Sequence, residues 1–84
     1  MRVHIDRITM DKLRGLRETG RPLWKRIEQL KTEPVSDDAR EVMERRKQNI
    51  QRYEVFEAGY WVGYEVDTTD SAETVINILY IEAI

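Results

Sequence analysis

The apolar positions of this chain change period partway along it. After a short alternating start they recur at helical spacing up to Leu30, and from Tyr53 onward they alternate in the two-residue period of strands. Val3 to Ile8 reads as a first strand, with Val3 and Ile5 on one face. Thr9 is placed to cap a helix over Met10, Leu13 and Leu16, and Gly20 is placed to end it at the C′ position. Pro22 suits the first turn of a second helix. Leu23, Trp24, Ile27 and Leu30 form its apolar face, Lys31 sits in its last turn, and Pro34 stops it. The short Gly20-Arg21-Pro22 link predicts an antiparallel helical hairpin. Ser36 is placed to cap a third helical segment, with Asp37 and Asp38 in its first turn and a thin stripe of Ala39, Val42 and Met43. Beyond them, Glu44 to Gln51 is almost wholly polar, either a solvent-facing helix end or a linker.

Three strands follow. Tyr53 to Phe56 is the first, and Ala58-Gly59 is a tight-turn signal. Tyr60 to Asp67 alternates cleanly, placing Tyr60, Val62, Tyr64 and Val66 on one face and Trp61, Gly63, Glu65 and Asp67 on the other. After a polar loop, Thr74 to Ile81 is apolar on both faces over most of its length, which predicts a central position in the sheet. The order predicts a single α+β domain over residues 1–84: an antiparallel sheet with an N-terminal helical hairpin packed on one face.

Charge changes the picture. Residues 1–52 hold 14 Lys and Arg against 9 Asp and Glu, a net of +5, whereas residues 53–84 hold none against 7, a net of −7. No cysteine is present, so disulfides and thiolate metal sites are excluded. The charged start Met1-Arg2-Val3-His4-Ile5-Asp6 is unlike a secretory signal, and no apolar stretch approaches the roughly 20 residues of a membrane span. The expectation is a cytoplasmic protein without membrane contact. His4 is the sole histidine, and Asp67, Asp70 and Glu73 lack the glycine and spacing of a calcium loop. Neither a metal nor a cofactor is expected.

The hairpin Tyr53-Glu54-Val55-Phe56-Glu57-Ala58-Gly59-Tyr60-Trp61-Val62-Gly63-Tyr64-Glu65-Val66 resembles the corresponding hairpin of the RelE/ParE superfamily. There, a Tyr-Arg-Val-Arg-type strand turns into a Tyr-Arg-x-x-Tyr strand. Val75 to Ile81 is similar to that family's last core strand, and Leu30 to Pro34 to its Leu-x-x-x-Pro helix end. The resemblance implies a toxin of a type II toxin–antitoxin system, a class associated with plasmid stabilization. Such a toxin is a ribosome-dependent messenger-RNA endonuclease or a gyrase inhibitor, held inactive by a small antitoxin. The nuclease type relies on cations over the open sheet face. Here those positions carry Glu54, Phe56 and Trp61, and the last strand runs into Glu82-Ala83-Ile84. Like charges about 4 Å apart cost roughly 1–4 kcal/mol, the wrong sign for holding a phosphate.

Two groups of candidate residues follow. Phe56 and Trp61, with Glu54 and Glu65 around them, form a candidate protein interface on the outer face, for a cognate antitoxin or a second copy of the chain. Arg45, Arg46, Lys47 and Arg52 form the candidate nucleic-acid contact, although a solvated helix face with pairs such as Glu41 with Arg45 accounts for them more simply. No catalytic residue is assigned. Three functions stay open at this point: a toxin-type protein acting through protein contacts, a messenger-RNA endoribonuclease, and a non-toxic binding or oligomerisation module.

Overall fold

The computed structural model describes residues 1–42 and 48–84; Arg45, Arg46 and Lys47 lie outside the described residues. Strand β1 is Arg2–Ile5, helix α1 Arg7–Gly15 and helix α2 Arg21–Leu30, with a 3-10 turn, Arg17–Gly20, between the helices. Strand β2 is Arg40–Glu41, β3 Ile50–Glu57, β4 Tyr60–Asp67 and β5 Val75–Ala83. The five strands form one sheet in the order β1-β5-β4-β3-β2. The α+β architecture and the helical hairpin on one face are as the apolar pattern predicts. The sheet itself is mixed, because edge strand β1 runs parallel to β5 while the other pairs are antiparallel.

The core lies between the hairpin and one face of the sheet. Leu13, Leu23, Ile27 and Leu30 from the helices meet Val55, Val62, Tyr64, Ile76, Ile78 and Ile81 from the strands. Each such side chain contributes about 1.5–3 kcal/mol by leaving water. Tyr64 is fully buried, stacks on Tyr53 with ring centroids 5.7 Å apart, and donates from its hydroxyl to the Pro34 carbonyl at 2.6 Å. Strand β5 is flanked on both sides, by β1 and β4, but the central strand of the five is β4 and not β5.

Several local expectations are corrected. The first strand ends at Ile5, and the helix begins earlier than Thr9. Asp6 is the cap, accepting from the Thr9 N–H at 2.7 Å, and this bond holds its carboxyl below the usual range. Ile8, read as strand, lies on the solvent side of α1 at 84% exposure. Gly20 does not adopt a left-handed C′ conformation; its φ is −79°. It is needed for close approach, since a Cβ there would lie 2.9 Å from the Leu13 carbonyl oxygen.

The third helical segment is not formed over its described part. Ser36 donates its hydroxyl to Asp38 and accepts from Arg26, and only one turn closes, from the Ala39 N–H to the Ser36 carbonyl. Arg26 also pairs with Asp38, whose carboxyl is held low by the Ser36 bond first and Arg26 second. Arg40 and Glu41 then pair with Glu54 and Tyr53 of β3. Sheet pairing outcompetes a helix with so thin an apolar stripe. Ile50 and Gln51, assigned to the polar stretch, belong to β3.

Candidate functional site: the open face of the sheet

The face opposite the helices is uncovered by any described element, and cross-strand register decides which side chains meet on it. On β3 and β4, Tyr53 pairs with Tyr64 and Val55 with Val62 toward the core, so Arg52, Glu54 and Phe56 point outward opposite Glu65, Gly63 and Trp61. On β5 a bulge resets the alternation. Tyr64 pairs with Ile78 and Gly63 with Tyr80, leaving Leu79 as the extra residue. Ile76, Ile78 and Ile81 therefore all face the core, while Tyr80 turns outward.

That reset builds the central row of the face, which runs Arg40, Glu54, Gly63, Tyr80. Gly63 has no side chain, and the Tyr80 ring lies over it, so close that a Cβ there would sit 2.1 Å from the ring. The ring reaches across to Glu54, and the hydroxyl donates to the Glu54 Oε2 at 2.7 Å. The Arg40 guanidinium meets Glu54 Oε1 at 2.6 Å from the other side. Glu54 is thus only 7% exposed although it lies on the uncovered face. Burial first, and the Glu54 bond second, push the Tyr80 phenol up to about 12. At neutral pH the Tyr80 phenol is protonated and donates its hydrogen bond to Glu54.

The flanking rows are made differently. Phe56 and Trp61 form an edge-to-face pair, with ring centroids 5.4 Å apart, and the Arg40 guanidinium lies 5.3 Å from the Trp61 ring centroid. Phe56 is 47% exposed, Trp61 is partly covered, and Glu82 faces Trp61 across the strand pair. On the other side, Arg52 approaches Glu65 at 3.6 Å, and the Asn77 amide donates to Glu65 at 3.4 Å.

The four interface candidates therefore come together on one face, with Phe56 exposed and Glu54 beneath Tyr80 and Arg40. Arg52 joins them, paired to Glu65, while Arg45, Arg46 and Lys47 fall outside the described residues. Arg40 and Arg52, from the basic part of the chain, pair with Glu54 and Glu65 of the acidic sheet. Sequence reasoning placed Arg40 in a basic cluster on a helical segment and missed its strand pairing with Glu54 and the contact between Tyr80 and Glu54. The glycine at position 63, flanked by apolar strand residues, was the available signal, since a glycine inside a strand marks close approach of another group. Among the described residues no cluster of three or more His, Asp or Glu could hold a metal ion, and no helix is long and apolar enough to cross a membrane. Two clefts, one beside Arg26 and Ser36 and one beside Gln51 and Tyr53, lie away from the central row.

A scan of protein families and a search of curated proteins each found no match to the sequence. Among solved structures, the fold is similar to that of a chain in the crystal structure of the archaeal RelE–RelB complex from Pyrococcus horikoshii OT3. The TM-score is 0.80 at 24% sequence identity, over 98% of this chain and 92% of that one. The chain has a RelE-like fold.

Proposed function

We propose that this chain is a toxin-type protein of RelE/ParE character that acts in the cytoplasm through protein–protein contacts made by its open sheet face. It would be held by an antitoxin-type partner and would not cut RNA. One observation carries this reading: on the described part of that face Arg40 and Arg52 are each engaged by a carboxylate, while the Phe56–Trp61 pair stands at the surface. An incoming phosphate would have to take Arg40 from Glu54 and leave a mostly buried carboxylate without its cationic partner, held only by the Tyr80 hydroxyl, which is unfavourable. Aromatic anchors with a charged rim suit a protein partner instead.

Induced expression in a bacterial host tests this. Growth arrest with intact transcripts is expected, relieved by co-expressing a small reading frame neighbouring the gene. Trp61→Ala should weaken binding of that partner by about tenfold or more, as removal of an aromatic hot spot does. Cut transcripts, with cutting lost in Arg52→Ala, would establish the endoribonuclease. Normal growth, with self-association weakened by Trp61→Glu, would establish the oligomerisation module.

A further inference from the structure

The buried carboxylate of the central row is built in on one side and served from the rim on the other. The Tyr80 ring lies over Gly63, and the Tyr80 hydroxyl occupies Glu54 Oε2 at 2.7 Å. Glu54 Oε1 is left to a cation, and the Arg40 guanidinium fills that place at 2.6 Å. The same guanidinium lies 5.3 Å from the Trp61 ring centroid. One planar cation is thus gripped by a carboxylate and an aromatic ring together, which suits a guanidinium better than an ammonium.

The two members of this ion pair are held very differently. The Glu54 side chain is 10% exposed and the Arg40 side chain 69%. Glu54 lies in the middle of an eight-residue strand that pairs along its length with β4. Arg40 lies in a two-residue strand at the edge of the sheet, with both residues exposed. The carboxylate is fixed, and because it is buried it needs a cation. The arginine that supplies one gains little from so exposed a position and returns to water at small cost. The surroundings also attract positive charge. Glu82 is exposed opposite Trp61, Glu57 lies opposite Tyr60, and residues 53–84 hold seven Asp and Glu and no Lys or Arg.

We infer that Glu54, Tyr80 and Trp61 form a guanidinium-binding site, which the free chain fills with its own Arg40 and which an arginine from a basic segment of a protein partner takes over on binding. The inference rests on the open-face reading for the kind of partner, and it adds what that partner must present. An anion that drew Arg40 away would leave Glu54 without a cation. An incoming guanidinium leaves Glu54 paired both before and after the exchange, so the buried charge is not stranded in either state. The exposed Phe56 ring beside Trp61 extends the same contact for the apolar part of the segment. Arg40 sets the cost of entry: a ligand binds only those molecules from which Arg40 has withdrawn, and its apparent affinity falls by that fraction.

The test uses N-acetyl-arginine amide as the probe and N-acetyl-lysine amide as its counterpart, followed by nuclear magnetic resonance of the indole N–H groups. The chain has two tryptophans, and Trp24, packed against the core in the helical layer, serves as the internal reference. The arginine probe should move the Trp61 signal and not that of Trp24. With Arg40 holding the site in all but about a tenth of molecules, Arg40→Ala should bind the probe about tenfold more tightly than the parent. The lysine counterpart should bind Arg40→Ala at least about threefold more weakly. Arg40→Ala/Glu54→Gln should lose the response. Should Arg40→Ala fold poorly, Arg40→Gln should bind the arginine probe more tightly than the parent in the same way. Four results would overturn the assignment: no binding of the arginine probe to the Arg40 variants, equal affinity for parent and variants, equal affinity for the two probes, or a Trp61 response of the parent to inorganic phosphate. Failure of the probe while Trp61→Ala still weakens a protein partner would sink the exchange and leave the open-face reading standing. The expected probe results without any protein partner would sink that reading and leave the guanidinium site.

Discussion

Tyr64 and Tyr80 sit on neighbouring strands of one sheet, on opposite faces, and both phenols are pushed up to about 12 chiefly by burial. Their surroundings otherwise differ. Tyr64 packs among aliphatic core side chains and the Tyr53 ring and donates a hydrogen bond to the neutral carbonyl of Pro34, tying the connection after α2 to the core. Tyr80 lies over a glycine and donates a hydrogen bond to a carboxylate, which in turn holds an arginine from the edge strand. The core face depends on volume and tolerates small losses one residue at a time. The open face depends on a polar chain whose members must all be present, because removing one leaves the next unsatisfied at low exposure.

The largest expected contrast is between Leu23→Ala and Phe56→Ala. Leu23 is fully buried, and its truncation should lower unfolding free energy by about 2–5 kcal/mol in a denaturant titration. Phe56 is half exposed, and its truncation should cost less than about 1.5 kcal/mol, mostly through its contact with Trp61. Equal losses would mean that the open face is a second core.

Glu54→Ala comes next, at about 1–3 kcal/mol, because it strips the Tyr80 hydroxyl and Arg40 of their shared partner. Ultraviolet titration of the phenols should then show one tyrosine moving back toward its ordinary value of 10.0 while the Tyr64 signal stays high. Gly63→Ala should displace the Tyr80 ring and move the same signal in the same direction. If Glu54→Ala leaves both tyrosines unmoved, the polar row is not coupled.

Stability against pH separates the faces more finely. A phenol whose folded value exceeds its unfolded value contributes stability that is complete below about pH 10 and disappears as pH rises through about 12. Tyr80→Phe should remove part of that alkaline loss. At the acid end, Asp6, Asp38 and Asp67 are all held below 3.8, by Thr9, Ser36 and Thr69 respectively. Their contribution is present above about pH 4 and falls away below it. None of the three lies in the central row, so Glu54→Ala should leave the acid shift from these groups unchanged.

The smallest expected effect is at the β3–β4 turn. Ala58 has φ of +51° and Gly59 of +87°, a two-residue turn that favours Asn-Gly. Ala58→Asn should raise stability by about 0.5 kcal/mol, measured by thermal unfolding, without changing either face.

Much of the fold was legible because its signals are local. The stripe Leu23, Ile27, Leu30 and the alternation from Tyr60 to Val66 each point one set of side chains in one direction, whatever surrounds them. The caps were less legible, since Asp6 and Thr9 are both competent and the choice depends on where β1 must leave the sheet. The segment from Ser36 was misread because its helical signals are real but weak, and Arg26 and the free edge of β3 compete for the same residues. Of the candidate site, the outward placement of Phe56, Trp61, Glu54 and Glu65 followed from parity alone.

Parity and period, properties of the chain itself, determined the α+β class, the helical hairpin and the aromatic pair on the outer face, and composition alone the uneven spread of charge. Only the tertiary structure decided the parallel seating of β1, the bulge at Leu79 that turns Tyr80 outward, and the arrival of Arg40 beside Glu54. The reason is physical. Side-chain direction within an element is set by backbone geometry, whereas the partner of a charge is set by which distant strand pairs alongside it.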